Sequence, residues 1–180
     1  LWYKTGGYFE GREYKGGKFG KFESLRVPDS CTDHSYFIKY EGPGWESDKV
    51  GYRLYLDWRN AIDIYGKKTH GMVLPAVGLD GYESYHEISD WGMDILKVGP
   101  SLGIGSLGFW DGEKAIRVEL TDSIWCGITA DNNLHAEVNV RYYGWKTAGG
   151  VTDLETTLSI LAGSRATRYS IRMEKSLENL

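Results

Sequence analysis

Two cysteines, Cys31 and Cys126, are all that this chain of 180 residues contains. They permit at most one disulfide in an oxidising compartment, and nothing in their sequence separation brings them together, so both read as free thiols. No Lys/Arg cluster is present and the net charge is -4, which argues against a nucleic-acid partner, because phosphate binding needs a concentrated basic surface. The lysines of Lys15–Lys21 are too dispersed to supply one. No stretch approaches the ~20 apolar residues that span a bilayer. No secretory leader is visible either, and a chain beginning at Leu1 rather than Met is expected to lack an amino-terminal piece, which leaves export open.

Motifs with established chemistry are equally scarce. The four histidines, His34, His70, His86 and His135, fall into no His-Glu-x-x-His pattern, and no Cys-x-x-Cys pair exists. No cofactor is therefore expected; the alternative is a divalent metal such as Ca²⁺ or Zn²⁺ held by distant segments, for example His34 with His86 and a carboxylate. No Gly-x-Ser-x-Gly elbow supports a serine hydrolase. The glycine-rich run Gly99–Gly108 is no nucleotide loop, since it leads into the turn Phe109-Trp110-Asp111-Gly112 and lacks a Gly-Lys-Ser/Thr ending. Close backbone packing or a substrate-approach loop is the better reading.

What the chain does have is aromatic side chains, 14% of the total, with seven Trp and thirteen Tyr. Such rings either fill a β-rich core or line a groove, and their faces suit the C–H faces of sugars. Trp2–Phe22 reads as short strands joined by tight glycine turns. Tyr36–Tyr40 and Val50–Asp57, separated by the turn Gly42-Pro43-Gly44, read as an antiparallel hairpin. Alternation is clearest in Leu134–Tyr143, where Ala136, Val138, Val140 and Tyr142 share one face. Ala115–Leu120, Leu154–Leu161 and Arg168–Glu174 are further strands. The expected fold is mainly β, an antiparallel β-sandwich forming one domain over 1–180. The end at Ser176–Leu180 lacks a closing turn, so an excerpt is expected, with a partner chain or missing segment completing a large sandwich.

Two constellations could carry chemistry. On the strand from Val50, period two puts Arg53, Tyr55 and Asp57 on one face, facing outward or into a groove; this is either a solvated row or a binding row headed by Arg53, whose planar fork can grip a carboxylate. The segment Gly81–Asp94 concentrates Tyr85, His86, Asp90, Trp91 and Asp94. His titrates near neutrality and Tyr can exchange a proton when a cation stabilises its phenolate, so His86 and Tyr85 are the proton-transfer candidates.

The run Gly42-Pro43-Gly44-Trp45-Glu46-Ser47-Asp48-Lys49-Val50-Gly51-Tyr52-Arg53, with Asp57-Trp58-Arg59-Asn60, Tyr85-His86, Asp90-Trp91-Gly92-Met93-Asp94 and Leu96-Lys97-Val98-Gly99, resembles the family named domain of unknown function 4861. The resemblance is strongest from about Lys15 to Ala130 and looser over the rest of the chain. It implies an exported, periplasmic or secreted protein encoded among bacterial polysaccharide-degradation genes, with a galactose-mutarotase-like β-supersandwich. It settles no reaction.

In that setting the expected activity is on an oligosaccharide containing uronate, by β-elimination, as a lyase or a dehydratase. Elimination needs a cation to neutralise the carboxylate, for which Arg53 or Arg59 is suited, and a base, for which His86 or Tyr85 is suited, the other of that pair serving as the leaving-group acid. Trp45 and Trp91 would hold the ring; Glu46, Asp90, Asp94 and His34 complete the expected substrate-binding set. The alternatives are glycoside hydrolysis by two carboxylates drawn from Glu46, Asp48, Glu87, Asp90 and Asp94, or a sugar-binding module without catalysis.

Overall fold

A computed structural model describes Leu1–Leu180 and is an antiparallel β-sandwich. The chain opens with a hairpin, β1 (Trp2–Glu10) and β2 (Glu13–Lys21), followed by β3 (Ser24–Arg26). Next come β4 (Gly44–Glu46), β5 (Val50–Leu54), β6 (Ile62–Lys67) and β7 (Gly92–Asp94), which form a four-stranded sheet in that order. A small hairpin of β8 (Gly108–Trp110) and β9 (Ala115–Arg117) precedes β10 (Ser123–Asp131), β11 (His135–Thr147), β12 (Gly150–Leu161) and β13 (Thr167–Met173). These last four, with β3 at the edge, make a five-stranded sheet ordered β13-β12-β11-β10-β3.

Alternation explains the long sheet. Val138, Val140 and Tyr142 on β11 and Leu154, Leu158 and Ile160 on β12 are buried, while the intervening Arg141 and Glu155 pair on the other face at 3.4 Å. The inner face meets Tyr52, Leu54 and Ile62 of the smaller sheet in one core of 20 buried residues. Trp45 belongs to this core. It stacks on Tyr52 at 5.7 Å and donates from Nε1 to Thr167 Oγ1 at 2.9 Å, fastening one sheet to the other.

Two expectations change. The amino-terminal segment makes two nine-residue strands, not several short ones. Tyr36–Tyr40 forms no strand, and β5 pairs instead with β4 and β6. Side-chain demands override β propensity there: His34, Tyr36, Tyr40 and Glu41 all take positive φ, a conformation unusual for residues with a Cβ. The Lys39 side chain between them is buried, and its Nζ donates to Leu74 O and Pro75 O. Both thiols are free, and burial pushes each up to about 12. Gly103 bridges Ile62 and would strike its carbonyl if it carried a Cβ, so the glycine run supplies close backbone packing.

Candidate active site

The outward row of β5 lies where period two places it, but solvent does not reach it. Residues 68–91, between β6 and β7, fold over that face and supply a second apolar cluster with Val73, Leu74, Val77, Tyr82 and Tyr85. Glu46 ties this cover down: its carboxylate accepts from the Val73 and Leu74 amides at 3.0 and 2.9 Å and from Lys67 Nζ at 2.8 Å. All of Val50–Leu54 is consequently buried.

Beneath the cover lies Arg53, its side chain 2% exposed. The strand register puts Asp63 directly opposite it and Asp94 opposite Tyr65 one strand further on. Arg53 donates from Nε and Nη2 to Asp63 Oδ2 at 3.0 and 2.6 Å, from Nη2 to Asp94 Oδ2 at 2.7 Å, and from Nη1 to Tyr85 Oη at 3.0 Å. Tyr55 also takes a guanidinium hydrogen and donates to Asp63 Oδ2 at 3.0 Å. Few donors are left over, so the expected clamp for a substrate carboxylate is occupied by the protein itself.

A parallel group stands beside it. Arg59 pairs with Asp57 and, at 2.7 Å, with Glu41, and Glu41 also accepts from the His34 amide at 2.7 Å. The Tyr55 ring lies between the two guanidiniums, 3.8 Å from that of Arg59 and 4.4 Å from that of Arg53. Four carboxylates thus face two cations. Burial pushes Asp94 up to about 6, helped by the Asp63 charge and opposed by Arg53.

One histidine reaches this cluster from outside. A turn over Ser84–His86 carries Tyr85 inward and leaves His86 with its side chain 51% exposed, Nε2 3.5 Å from Asp94 Oδ2. The imidazole leans on the Tyr85 ring at 4.6 Å. Gly92 fixes the approach of β7, since at φ 133° a Cβ there would run into the Gly66 carbonyl of β6. Burial raises the Tyr85 phenol, against the pull of Arg53, so it stays protonated at neutral pH.

Tyr85, His86, Arg53 and Asp94 therefore come together, and the other expected site residues do not join them. Trp45 is a core residue at 2% exposure. Glu46 anchors the cover, and Arg59 is saturated by Asp57 and Glu41. Asp90 is exposed, and Trp91 is half-buried with its ring 6.1 Å from that of Tyr65. His34 is exposed, 6.0 Å ring to ring from Tyr82. No group of three or more His, Cys, Asp or Glu side chains is placed to hold a metal ion. Sequence reading missed Asp63 and Tyr65. The signal was Ile62-Asp63-Ile64-Tyr65, an alternation that sends the isoleucines into the core and the acid onto the Arg53 face.

A histidine poised on a buried carboxylate, on the covered face of an antiparallel sandwich, is an arrangement suited to proton transfer. The chain belongs to the family described as domain of unknown function (DUF4861), whose model matches residues 3–180. No curated protein and no solved structure matches it.

Proposed function

We propose that the protein is a carbohydrate-active enzyme that eliminates across a uronate residue of an oligosaccharide, with His86 as the base. The observation that carries this reading is the half-exposed imidazole held 3.5 Å from a buried carboxylate that Arg53 fixes in place. Asp94 favours the tautomer with its proton on Nε2, which leaves the Nδ1 lone pair to take the proton from the carbon beside the uronate carboxylate. That C–H pair becomes the new C=C bond as the bond to the leaving oxygen breaks. The imidazolium, stabilised by Asp94, then returns its proton to the leaving oxygen. Tyr85, held by Arg53 and packed against the imidazole, positions it rather than exchanging a proton.

The substrate carboxylate must be neutralised as charge builds, and Arg53 and Arg59 are already committed. Lys68 is the candidate: its exposed ammonium carries no carboxylate partner and rests on Ser89 O at 3.1 Å, in the segment that presents His86. Of the carboxylates that hydrolysis would need, Glu46 is taken by the cover and Asp48 by the Gly163 amide at 2.7 Å. Asp94 is buried against Arg53. The periplasmic or secreted location, the polysaccharide-degradation setting and the mutarotase-like kinship belong to the same proposal.

The test is the ultraviolet absorbance of the conjugated double bond that elimination forms, followed with uronate oligosaccharides from ulvan, pectin and glycosaminoglycans. Elimination raises it. Release of reducing ends without that rise would identify a hydrolase, and binding without turnover a sugar-binding module; either overturns the reading.

A further inference from the structure

A cleft of about 580 Å³, a size within the ~300–1,000 Å³ range of small-molecule sites, lies between β4 with its cover on one side and the β10–β11 and β12–β13 turns on the other. His86 does not line it. Leu74, Ile128, Val138 and Ile160 make part of its wall apolar, and Asn132 and Asn133 are exposed at its mouth. The Asn132 carbonyl oxygen accepts from the Leu134 and His135 amides at 2.9 and 3.1 Å, which leaves its Nδ2 free to donate. The charged groups of the lining are already satisfied: Lys21 by Asp131 at 2.6 Å, Glu46 by Lys67 and the cover, Asp48 by the Gly163 amide, and Glu137 by the Thr129 hydroxyl at 2.7 Å.

The cleft continues onto the β1–β2 ribbon, because Trp2 and Lys21, a cross-strand pair near its base, line the cleft as well. Tyr3, Phe9 and Tyr14 turn one face of the ribbon onto Phe37. The opposite face carries the pairs Trp2 with Lys21, Lys4 with Phe19 and Tyr8 with Lys15. Each joins one aromatic ring to one lysine, and the ring changes strand from pair to pair. Between the second and third pairs the register sets Gly6 beside Gly17, both at positive φ, so the backbone there is bare. Gly17 admits no side chain, since a Cβ would strike the Thr5 carbonyl. Trp2 is fixed from its own side of the chain by the buried Lys39 ammonium, 4.6 Å from the ring centroid, whereas Tyr8 is 64% exposed.

We infer that the cleft and this face of the ribbon form one path that binds an extended polysaccharide chain, with Trp2, Phe19 and Tyr8 as successive stacking rings. From Trp2 to Tyr8 the path covers about 20 Å of strand, longer than one sugar and suited to several. Lys15 and Lys21 are neutralised by Glu13 and Asp131, so ring faces and hydroxyl contacts, not a field of charge, hold the ligand. Lys4, 5.2 Å from the Phe19 centroid and without an acidic partner, is the one point on the ladder where a carboxylate of the chain can be met. The bare glycines let a sugar ring lie close to the backbone between Phe19 and Tyr8. A protein partner is disfavoured, because lysines and glycines separate the rings and leave no continuous apolar patch. The ligand class is the one proposed for the His86 site, but the path needs no chemistry there, and its readout is binding rather than turnover.

The experiment is calorimetric titration of the full chain with neutral and acidic oligosaccharides of two to eight residues from plant, algal and animal polysaccharides, and with single-stranded DNA. Affinity for the bound series is expected to rise at least fivefold from its shortest to its longest member. Tyr8→Ala, which removes an exposed ring, should abolish that gain while leaving the shortest member and the circular dichroism unchanged. Trp2→Ala should weaken every length at least tenfold. His86→Ala should leave binding in place, so that this inference and the elimination reading fail separately. No binding of any oligosaccharide overturns the inference, as does affinity that does not grow with length or growth that Tyr8→Ala preserves. Binding of DNA as tight as that of the best oligosaccharide overturns it in favour of a general polyanion surface.

Discussion

Oδ2 of Asp94 lies 2.7 Å from Arg53 Nη2 and 3.5 Å from His86 Nε2, so one buried oxygen is shared between a permanent cation and a titratable ring. The guanidinium fixes the oxygen, and the ring stands within ion-pair distance of it. His86→Ala removes the only member of this set that solvent reaches freely, and should lower elimination by about 100- to 10,000-fold, the usual range for a general base. Thermal stability should scarcely change. Tyr85→Phe should lose less, through misplacement of the ring. Full activity in both variants, measured by double-bond absorbance, removes His86 from the chemistry.

Arg53 is the residue on which the covered face depends. Arg53→Met leaves Asp63 and Asp94 together without a counter-charge, and breaking a buried pair of this kind costs about 3–5 kcal/mol. Arg53→Lys should rescue only part of this, because a single ammonium cannot replace a planar fork that bonds Asp63, Asp94, Tyr55 and Tyr85 together. Urea unfolding of both variants measures the difference.

Asp94 also sets a pH dependence. Its carboxyl is raised from an ordinary value of 3.8 to about 6, chiefly by burial. Between those values the folded chain holds a proton that the unfolded chain has released, so this group's contribution is complete at low pH and is lost as pH rises through about 6. The stability advantage of the wild type over Asp94→Asn should therefore shrink between about pH 4 and above 6. A gap that widens over that interval contradicts the assignment. Ionised Asp94 is also what supports the imidazolium, so elimination should rise as pH passes about 6.

Much of the sandwich is legible in the sequence, and the reason is local. β12 alternates between buried and more exposed positions through most of its length, and a strand with one wet face records its own orientation. The covered face is different. Arg53 sits on the face that period two assigns to it, yet its burial depends on residues 68–91 returning across the sheet and on Glu46 holding them, contacts with no local signature. Tyr36–Tyr40 carries strong β formers, and its backbone is set instead by Lys39, Tyr82 and Glu41. Family motifs drew attention to Trp45 and Glu46, which serve the fold: one fastens the sheets and the other pins the cover.

That role of Glu46 can be measured separately. Glu46→Ala removes the acceptor for two backbone amides and for Lys67, with an expected loss of about 1–3 kcal/mol for the groups left unpaired. Hydrogen exchange should quicken at Val73 and Leu74 first and remain slow in β11 and β12. Uniform quickening across both sheets would mean that the cover is not a separable unit.

The Tyr55 ring, lying between two guanidiniums, means that neither arginine can move without uncovering the wall of the other. The two charge groups therefore open and close as one cooperative body. A single aromatic substitution there would loosen both the floor beneath His86 and the Asp57 turn, and both places would report the same unfolding event.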